Sequence, residues 1–275
     1  MREREFAFTD RDFERIRTLI YQHAGISLSS AKVDMVYSRI ARRLRATGLV
    51  SFQDYLRYLD ETPEEWQNFI NSLTTNLTSF FRESHHFPIL AQCALDARRR
   101  GHHPVTLWSS ACSTGEEPYS MAMSLIDAFG TWSPPVRILA TDLDTNVVQQ
   151  AAQAVYPLER VEKLPEADVK RFFLRGRESQ AGMVRLRPEV RALVTFRPLN
   201  LLSDSWPMKG RFDAIFCRNV LIYFDKATQY KILERFHPLL RPEGLLFVGH
   251  SESLTHVSDL FRLQGKTVYA PLARM

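Results

Sequence analysis

The sequence is poor in cysteine and has no long hydrophobic run, and each shortage excludes a class of protein. Its cysteines, Cys93, Cys112 and Cys217, are odd in number and lack C-x-x-C spacing, so we expect reduced structural thiols and no metal. No apolar stretch approaches the ~20 residues of a transmembrane helix, and the N-terminus lacks the apolar region of a signal peptide. The sequence predicts a cytoplasmic protein with no direct membrane insertion.

Size and charge set broader limits. The 275 residues are 45% hydrophobic, enough for one large domain and a smaller one. The net charge of +5 permits an acidic partner of any kind, including nucleic acid, an anionic membrane or an acidic protein. The net charge alone does not distinguish among these three kinds of partner.

Residues 1–75 predict a small all-α domain. Apolar residues recur three or four positions apart after helix-start signals, which is typical of short amphipathic helices. The fourth apolar stripe extends from Trp66 to Leu77. The predicted start signals are Thr9, Ser29 or Ser30, Ser51, and a capping box over Thr62–Glu65 with Pro63 at the first helical position.

The second of these helices is rich in arginine. Arg39, Arg42 and Arg43 fall within roughly a 100° arc on a helix, away from its apolar face, and therefore predict one basic ridge. Two interpretations fit this ridge. It is either a solvated helix face or a docking surface for an acidic helix or a nucleic-acid backbone.

From Phe87 onward, helices and strands alternate in the manner of a doubly wound α/β domain. The alternation fails over about 156–193, where Met183–Pro188 predicts a small exposed strand within an inserted β-subdomain. Phe261–Pro271 predicts a closing antiparallel pair. Between the two domains, Leu73–Glu83 is dense in hydroxyl, amide and aromatic groups, and it fits either a lid over a ligand or an ordinary interdomain loop.

The stretch Val105–Tyr119 predicts a nucleotide-binding strand, turn and helix. Gly115 permits a tight turn, and Pro118 suits the first helical turn. Glu116 and Glu117 lie where a helix N-terminus would otherwise bind an anion, so a phosphate ligand is disfavoured. A ligand with positive charge and hydroxyl groups fits better.

The next strand ends in Asp142, which is placed to accept hydrogen bonds from ribose hydroxyls. Because the first turn lacks G-x-G-x-x-G, a dinucleotide is the weaker candidate. S-adenosylmethionine, which has an adenosine and a sulfonium but no phosphate, matches both observations. The sequence therefore predicts a Rossmann-like fold that binds this cofactor.

Two further clusters follow predicted strands, at the sheet edge where such folds bind ligands. After Val194–Arg197, the side-chain amide of Asn200 could read the adenine edge. After the strand that begins at Phe212, Arg218 faces the same crevice, or instead pairs with a structural carboxylate.

Taken together, five ordered motifs resemble those of the CheR-type chemotaxis receptor methyltransferases, and the resemblance covers nearly the whole chain. The motifs are Leu73–Glu83, Ser113–Tyr119, Thr141–Asp144, Asn200–Leu202 and Arg218–Asp225.

The resemblance implies a protein-glutamate O-methyltransferase that uses S-adenosylmethionine and releases S-adenosylhomocysteine. It divides the chain into a receptor-docking domain (1–75), a linker in the cofactor site (76–86) and a methyltransferase domain (87–275). It places Arg82 and Tyr223 beside the methyl transfer. The cofactor residues that it implies are Asn76, Thr78, Arg82, Glu117, Asp142, Asn200, Leu201, Arg218 and Asn219.

The resemblance also implies partners. The arginine helix, through Arg39, Arg42 and Arg43, would dock on the cytoplasmic helical bundle of a chemoreceptor. In some members the inserted subdomain would hold a peptide from the receptor's C-terminus. Nucleic acid is not an expected partner.

The chemistry agrees with a carboxylate substrate. A glutamate side chain is already ionised at neutral pH, so its methylation needs no strong general base, and the sequence shows no obvious catalytic His or Cys arrangement. Arg82 would orient the carboxylate, and Tyr223 could donate one hydrogen bond.

Three alternatives stay open. The basic charge favours a nucleic-acid methyltransferase, although the sequence has no Pro-Cys nucleophile and no loop of the type that holds a flipped base. A Rossmann-type dehydrogenase would explain Asp142 but requires more glycines in the first turn. A non-catalytic S-adenosylmethionine-binding module that only docks on receptors is the third.

Overall fold

Short amphipathic helices form the N-terminal part of the chain in the computed structural model, which describes residues 4–208 and 210–273. Thr9 caps the first helix, as predicted, and also forms a complete capping box with Asp12. Gly25 ends the helix in the left-handed conformation (φ 66°). The helices enclose a hydrophobic core that includes Phe13, Ile40 and Phe52. Their bounds are α1 Asp10–Ala24, α2 Val33–Thr47, α3 Phe52–Glu61 and α4 Glu65–Leu73.

Two of the predicted helix starts are wrong. A 3-10 turn, Ser30–Lys32, precedes α2, and Ser29 makes no capping hydrogen bond with its side chain. The predicted capping box before α4 does not form either, because the helix begins at Glu65, and Glu64 makes no side-chain cap. The Glu65 carboxylate cannot fold back onto the helix start because it binds residues of α2 and α3.

The end of α4 also differs from the prediction. The helix stops at Leu73, and Thr74 is extended. Leu77, predicted to continue the apolar stripe, lies in the following irregular segment with 78% of its surface exposed. The segment therefore reaches the large domain as extended chain.

Two of the three arginines of the predicted basic ridge on α2 are half-buried and bound within the protein. Arg43 donates to both oxygens of the buried Glu65 carboxylate, at 2.8 and 2.9 Å. Arg39 donates to the carbonyl oxygens of Leu73 and Thr74 at the end of α4. Arg42 alone of the three is exposed. The helical period placed the side chains correctly on one arc, but it could not show that α4 packs against that arc.

A mixed seven-stranded sheet forms the centre of the second part, in the order β6-β2-β1-β7-β8-β10-β9. The first five strands in that order run parallel, and β10 is antiparallel to both of its neighbours, as predicted for the closing pair. Their bounds are β1 Val105–Ser109, β2 Val136–Asp142, β6 Val194–Pro198, β7 Phe212–Cys217, β8 Leu240–Val248, β9 Phe261–Gly265 and β10 Val268–Pro271.

Helices cover both faces of this sheet, which confirms the doubly wound prediction. Residues of α5 and α6 share a core with Leu107 and Phe216. Residues of α10 share a separate core with Trp108 and Ile215, whose side chains point to the opposite face. The bounds of the helices are α5 His86–Arg99, α6 Glu116–Phe129, α7 Thr145–Gln153 and α10 Lys226–Phe236.

The inserted segment has its own antiparallel sheet, in the order β3-β5-β4, as predicted. The prediction of an exposed strand over Met183–Pro188 is wrong, because β5 is central in this sheet and buries Val184 and Leu186. The elements here are β3 Val155–Pro157, β4 Phe173–Arg175, β5 Met183–Leu186, α8 Glu166–Phe172 and α9 Pro188–Arg191.

Because Arg43 is paired with Glu65, we expect substitutions of Arg43 and of its neighbour Arg42 on the same helix to differ in their effect on stability. Arg43→Met would leave Glu65 buried without its cation and should lower the free energy of unfolding by about 2 kcal/mol, less than for a fully buried pair because Arg43 is a quarter exposed. Arg42→Met is the matched control and should change it by less than about 0.5 kcal/mol. Urea titration followed by circular dichroism measures both, and equal losses would contradict the assignment.

Candidate functional site

A cavity of about 510 Å³ lies at the carboxyl ends of the parallel strands, between the sheet and the helical part. Ala24, Ser27 and Met35 form part of its wall from the helical side. The structure brings together in this wall every residue predicted to bind the cofactor or to act in catalysis: Asn76, Thr78, Arg82, Glu117, Asp142, Asn200, Leu201, Arg218, Asn219 and Tyr223.

The turn between β1 and α6 leaves no room for a side chain at Gly115. Its φ is 97°, and a Cβ there would lie 2.9 Å from both the Ala151 Cβ and the Tyr156 hydroxyl. Ser113, also at positive φ (48°), directs its backbone N–H toward Asp142. The predicted glycine turn is therefore confirmed in its geometry.

Asp142 ends β2 with its carboxylate at the cavity wall. One oxygen accepts from the Ser113 N–H at 2.7 Å and the other from the Asp144 N–H at 3.0 Å. Each oxygen keeps acceptor capacity for a second hydrogen bond. Burial raises the pKa of Asp142 to about 6, although these backbone N–H groups oppose the rise. The ionised side chain suits a ligand with two neighbouring hydroxyl groups.

The two acids that open α6 have different roles. Glu116 is fully buried and binds Arg160 and the Thr114 hydroxyl, so its charge is compensated within the protein. Glu117 lines the cavity and accepts from the Ser109 hydroxyl at 2.7 Å. Burial raises the pKa of Glu117, while the charge of Arg218 works in the opposite direction.

Arg218 forms the centre of a buried network behind this wall. Its side chain is 2% exposed, and Nη1 donates to Glu117 at 3.0 Å. Nη2 donates to the Arg82 carbonyl and lies 3.4 Å from the Glu83 carboxylate. Both interpretations of Arg218 from the sequence therefore hold, because it lines the cavity and also pairs with carboxylates.

Glu83 is a member of this network that the sequence did not single out. Burial opposes its charge, but hydrogen bonds from His250 and Asn219 and the charge of Arg218 lower its pKa to about 2. Burial and the same arginine lower the pKa of His86 to about 4. A carboxylate at the end of a segment dense in hydroxyl, amide and aromatic groups was the one sequence signal for Glu83.

The segment after α4 lies along the cavity wall rather than away from it. Asn76 donates to Asp144 at 2.8 Å, and its carbonyl accepts from the Ser113 hydroxyl. Arg82 donates back to the Leu77 carbonyl at 3.0 Å, while Thr78 lines the cavity. This placement favours the interpretation of the segment as a wall of the ligand site over that of an ordinary loop.

Asn200 and Leu201 differ in what they offer a ligand. The Asn200 side chain donates to the His23 carbonyl at 2.8 Å and accepts from the Leu202 N–H at 2.9 Å. In this arrangement its amide joins the two parts of the chain rather than pointing freely into the cavity. Leu201, which is nearly buried, contributes apolar surface to the wall.

The three cysteine thiols lie outside the cavity wall. All three cysteines are free and buried, and burial raises the pKa of Cys93 to about 12. Neither His nor Cys is among the described residues that line the cavity. Within residues 4–208 and 210–273, no group of three or more His, Cys, Asp or Glu side chains is arranged to hold a metal ion.

The chain matches two family models that together span most of its length. Residues 11–74 match the CheR methyltransferase all-alpha domain, and residues 76–270 match the CheR methyltransferase SAM-binding domain. The chain belongs to the CheR methyltransferase family. It is an S-adenosylmethionine-dependent methyltransferase, and the rival interpretations as a nucleic-acid enzyme or a docking module are not favoured.

Curated relatives of this family are similar over nearly their full length. The chain is 54% identical over 267 residues to "Chemotaxis protein methyltransferase 2" of Pseudomonas aeruginosa, covering 97% of this chain and 95% of that protein. It is 52% identical over 266 residues to "Chemotaxis protein methyltransferase" of Escherichia coli, covering 96% and 92%. In the parts of the chain that the structure describes, no helix is long and apolar enough to span a membrane.

The cavity fits the cofactor that the family model names. Its volume lies within the range of small-molecule sites, Asp142 offers acceptors for hydroxyl groups, and Glu117 offers negative charge for a cationic group. Leu143 and Leu201 supply apolar surface for a base.

The raised pKa of Asp142 predicts pH-dependent cofactor binding. If Asp142 binds the ribose, its ionised carboxylate accepts hydrogen bonds from the hydroxyl groups, whereas the protonated form loses an acceptor. The affinity should therefore fall as the pH drops through about 6. Calorimetric titration with S-adenosylhomocysteine between pH 5 and 8 measures this dependence. The Asp142→Asn variant should bind weakly with a flatter pH profile, and an identical profile in both proteins would contradict the assignment.

Proposed function

We propose that this chain methylates the side-chain carboxylates of glutamates in chemoreceptor cytoplasmic domains and forms methyl esters. The observation that supports this most is a cavity lined by Arg82, Tyr223 and the acids Glu117 and Asp142, with no His or Cys among its described lining residues. Such a wall suits a nucleophile that is already ionised. The names of the curated relatives, chemotaxis protein methyltransferases, support the class of partner.

In this proposal the cofactor lies along the strand ends. Asp142 accepts the ribose hydroxyls, and Glu117 attracts the cationic amino acid end. The remaining contacts come from Asn76, Thr78, Arg82, Asn200, Leu201, Arg218 and Asn219. When bound, S-adenosylmethionine supplies an activated methyl group on a sulfonium sulfur and leaves as S-adenosylhomocysteine.

Arg82 and Tyr223 act on the substrate in this proposal. Arg82 pairs with one carboxylate oxygen of the glutamate, and the Tyr223 hydroxyl donates a hydrogen bond that fixes the other. The attacking oxygen is thereby held in line with the methyl group. Exclusion of water by the cavity wall strengthens both interactions and favours a step in which opposite charges cancel.

We infer a division of the chain into a docking domain (1–75), a linker in the cofactor site (76–86) and a methyltransferase domain (87–275) with an insertion over about 156–193. The separate cores of the helical part and the sheet support it. The docking surface on α2 presents Arg42 fully and Arg39 and Arg43 in part. Its partner would be the chemoreceptor's cytoplasmic helical bundle, and a receptor C-terminal peptide would bind the inserted subdomain.

The reaction is tested with methyl-labelled S-adenosylmethionine and a receptor cytoplasmic fragment, followed by mild alkali. Label released as volatile methanol is the expected result, because alkali hydrolyses a carboxyl methyl ester. Label that resists alkali would indicate N- or C-methylation and would contradict the proposal.

Tyr223→Phe should lower kcat with little change in cofactor affinity.

The docking surface is tested by charge reversal at its exposed arginine. Arg42→Glu should lower kcat/KM for the receptor fragment by about 10-fold, with a weaker effect at high salt, because it repels an acidic partner. Arg98→Glu, an equally exposed arginine on α5, is the matched control and should leave kcat/KM unchanged. Equal losses in both variants would mean that net charge, rather than this surface, governs docking.

A further inference from the structure

We propose that Glu252 and Gln229 are positioning residues for Tyr223, and that they fix the backbone of the loop 219–224, hereafter the Tyr223 loop, on both sides of that residue. The inference rests on the proposed role of Tyr223 in methyl transfer. Neither residue lines the cavity. Both act through hydrogen bonds to the backbone of the loop.

Glu252 binds the beginning of the loop. This carboxylate is 5% exposed and accepts from the backbone N–H of Asn219 at 2.8 Å, of Ile222 at 3.4 Å and of Gly249 at 2.6 Å. The first two groups lie on either side of the start of a 3-10 turn, Leu221–Tyr223, and the first N–H groups of such a turn have no carbonyl partner within it. Glu252 therefore caps this turn from a different segment of the chain.

Gln229 binds the end of the loop. Its side chain lies on α10, is 8% exposed, and donates to the carbonyl oxygens of Leu221 at 2.8 Å and Phe224 at 3.0 Å. Glu252 thus satisfies backbone donors of the loop, and Gln229 satisfies backbone acceptors. Together they hold the backbone on both sides of Tyr223.

The backbone of the loop needs such support. Asn219 has a φ of 58°, a conformation that residues other than glycine rarely adopt. A Cβ at Gly249 would clash with the Asn219 side chain and would lie 2.9 Å from a Glu252 oxygen. The end of β8 therefore approaches the loop as closely as glycine allows, and this closeness lets one carboxylate bridge both segments.

The position of the Tyr223 ring depends on this backbone. Its hydroxyl makes no hydrogen bond to any residue in the described ranges, 4–208 and 210–273, so no side-chain partner fixes it before substrate binds. The Tyr223 carbonyl accepts from the Ser27 N–H at 2.8 Å, which holds the loop against the helical part. Tyr223 lines the cavity, and the hydrogen bonds that hold it there are made by the backbone of the loop.

The test is a double-mutant cycle measured as kcat at saturating S-adenosylmethionine and receptor fragment. Glu252→Gln keeps the shape of the side chain but turns a donor toward backbone donors, and Gln229→Met removes both bonds to the carbonyls. Each should lower kcat roughly 10-fold, the effect of a small displacement of a catalytic group. In a Tyr223→Phe background neither should lower kcat further, because no hydroxyl remains to be positioned.

Asp213→Asn is the matched control, since Asp213 is also a buried carboxylate that accepts from a backbone N–H, but at the opposite end of β7. It should leave kcat unchanged. A full further loss in the Tyr223→Phe background, or unchanged kcat in both Glu252→Gln and Gln229→Met, would overturn the proposal. So would unchanged kcat in Tyr223→Phe itself, while methanol release from the product would still test the proposed reaction separately.

Discussion

A single buried guanidinium, that of Arg218, joins its own loop to two distant segments of the chain around the ligand cavity. It reaches the Arg82 carbonyl and Glu83 in the segment between the two parts, and Glu117 at the start of α6. Burying an arginine is costly unless its charge and donors find partners. These carboxylates provide them, so the segment from Asn76 to Glu83 is fixed against the sheet and becomes a wall of the site.

The same network leaves the cavity with an unusual balance of charge. Arg218 and Glu83 compensate each other behind the wall, while Glu117 and Asp142 face the cavity with pKa values raised by burial. Negative charge at this edge suits a cation with hydroxyl groups, and in the proposed reaction Arg82 supplies positive charge for the substrate carboxylate. The helical part completes the enclosure, because Ser27 and the His23 carbonyl bond to the loops that follow β7 and β6.

The sequence was sufficient to predict the structure wherever interactions between residues close along the chain determine it. Gly115, Pro118 and Asp142 could be interpreted from the turn and strand end that contain them, and the failed alternation over about 156–193 marked the inserted sheet. It was insufficient where a side chain is bound by a partner far along the chain. Glu65 pairs with Arg43 rather than forming a capping box, and Asn200 donates to the His23 carbonyl. Glu83 gave little signal because its partners, Arg218 and His250, lie more than a hundred residues away.

The assembly of the site depends most directly on the forked geometry of Arg218, which lysine cannot reproduce although it keeps the charge. The decisive measurement is the calorimetric affinity of Arg218→Lys for S-adenosylhomocysteine, compared with Arg241→Lys at the opposite end of the sheet. We expect the first variant to bind at least about 10-fold more weakly, with an unchanged circular dichroism spectrum, and the second to bind like the unmodified protein. Undiminished affinity in Arg218→Lys would contradict the view that this network assembles the site.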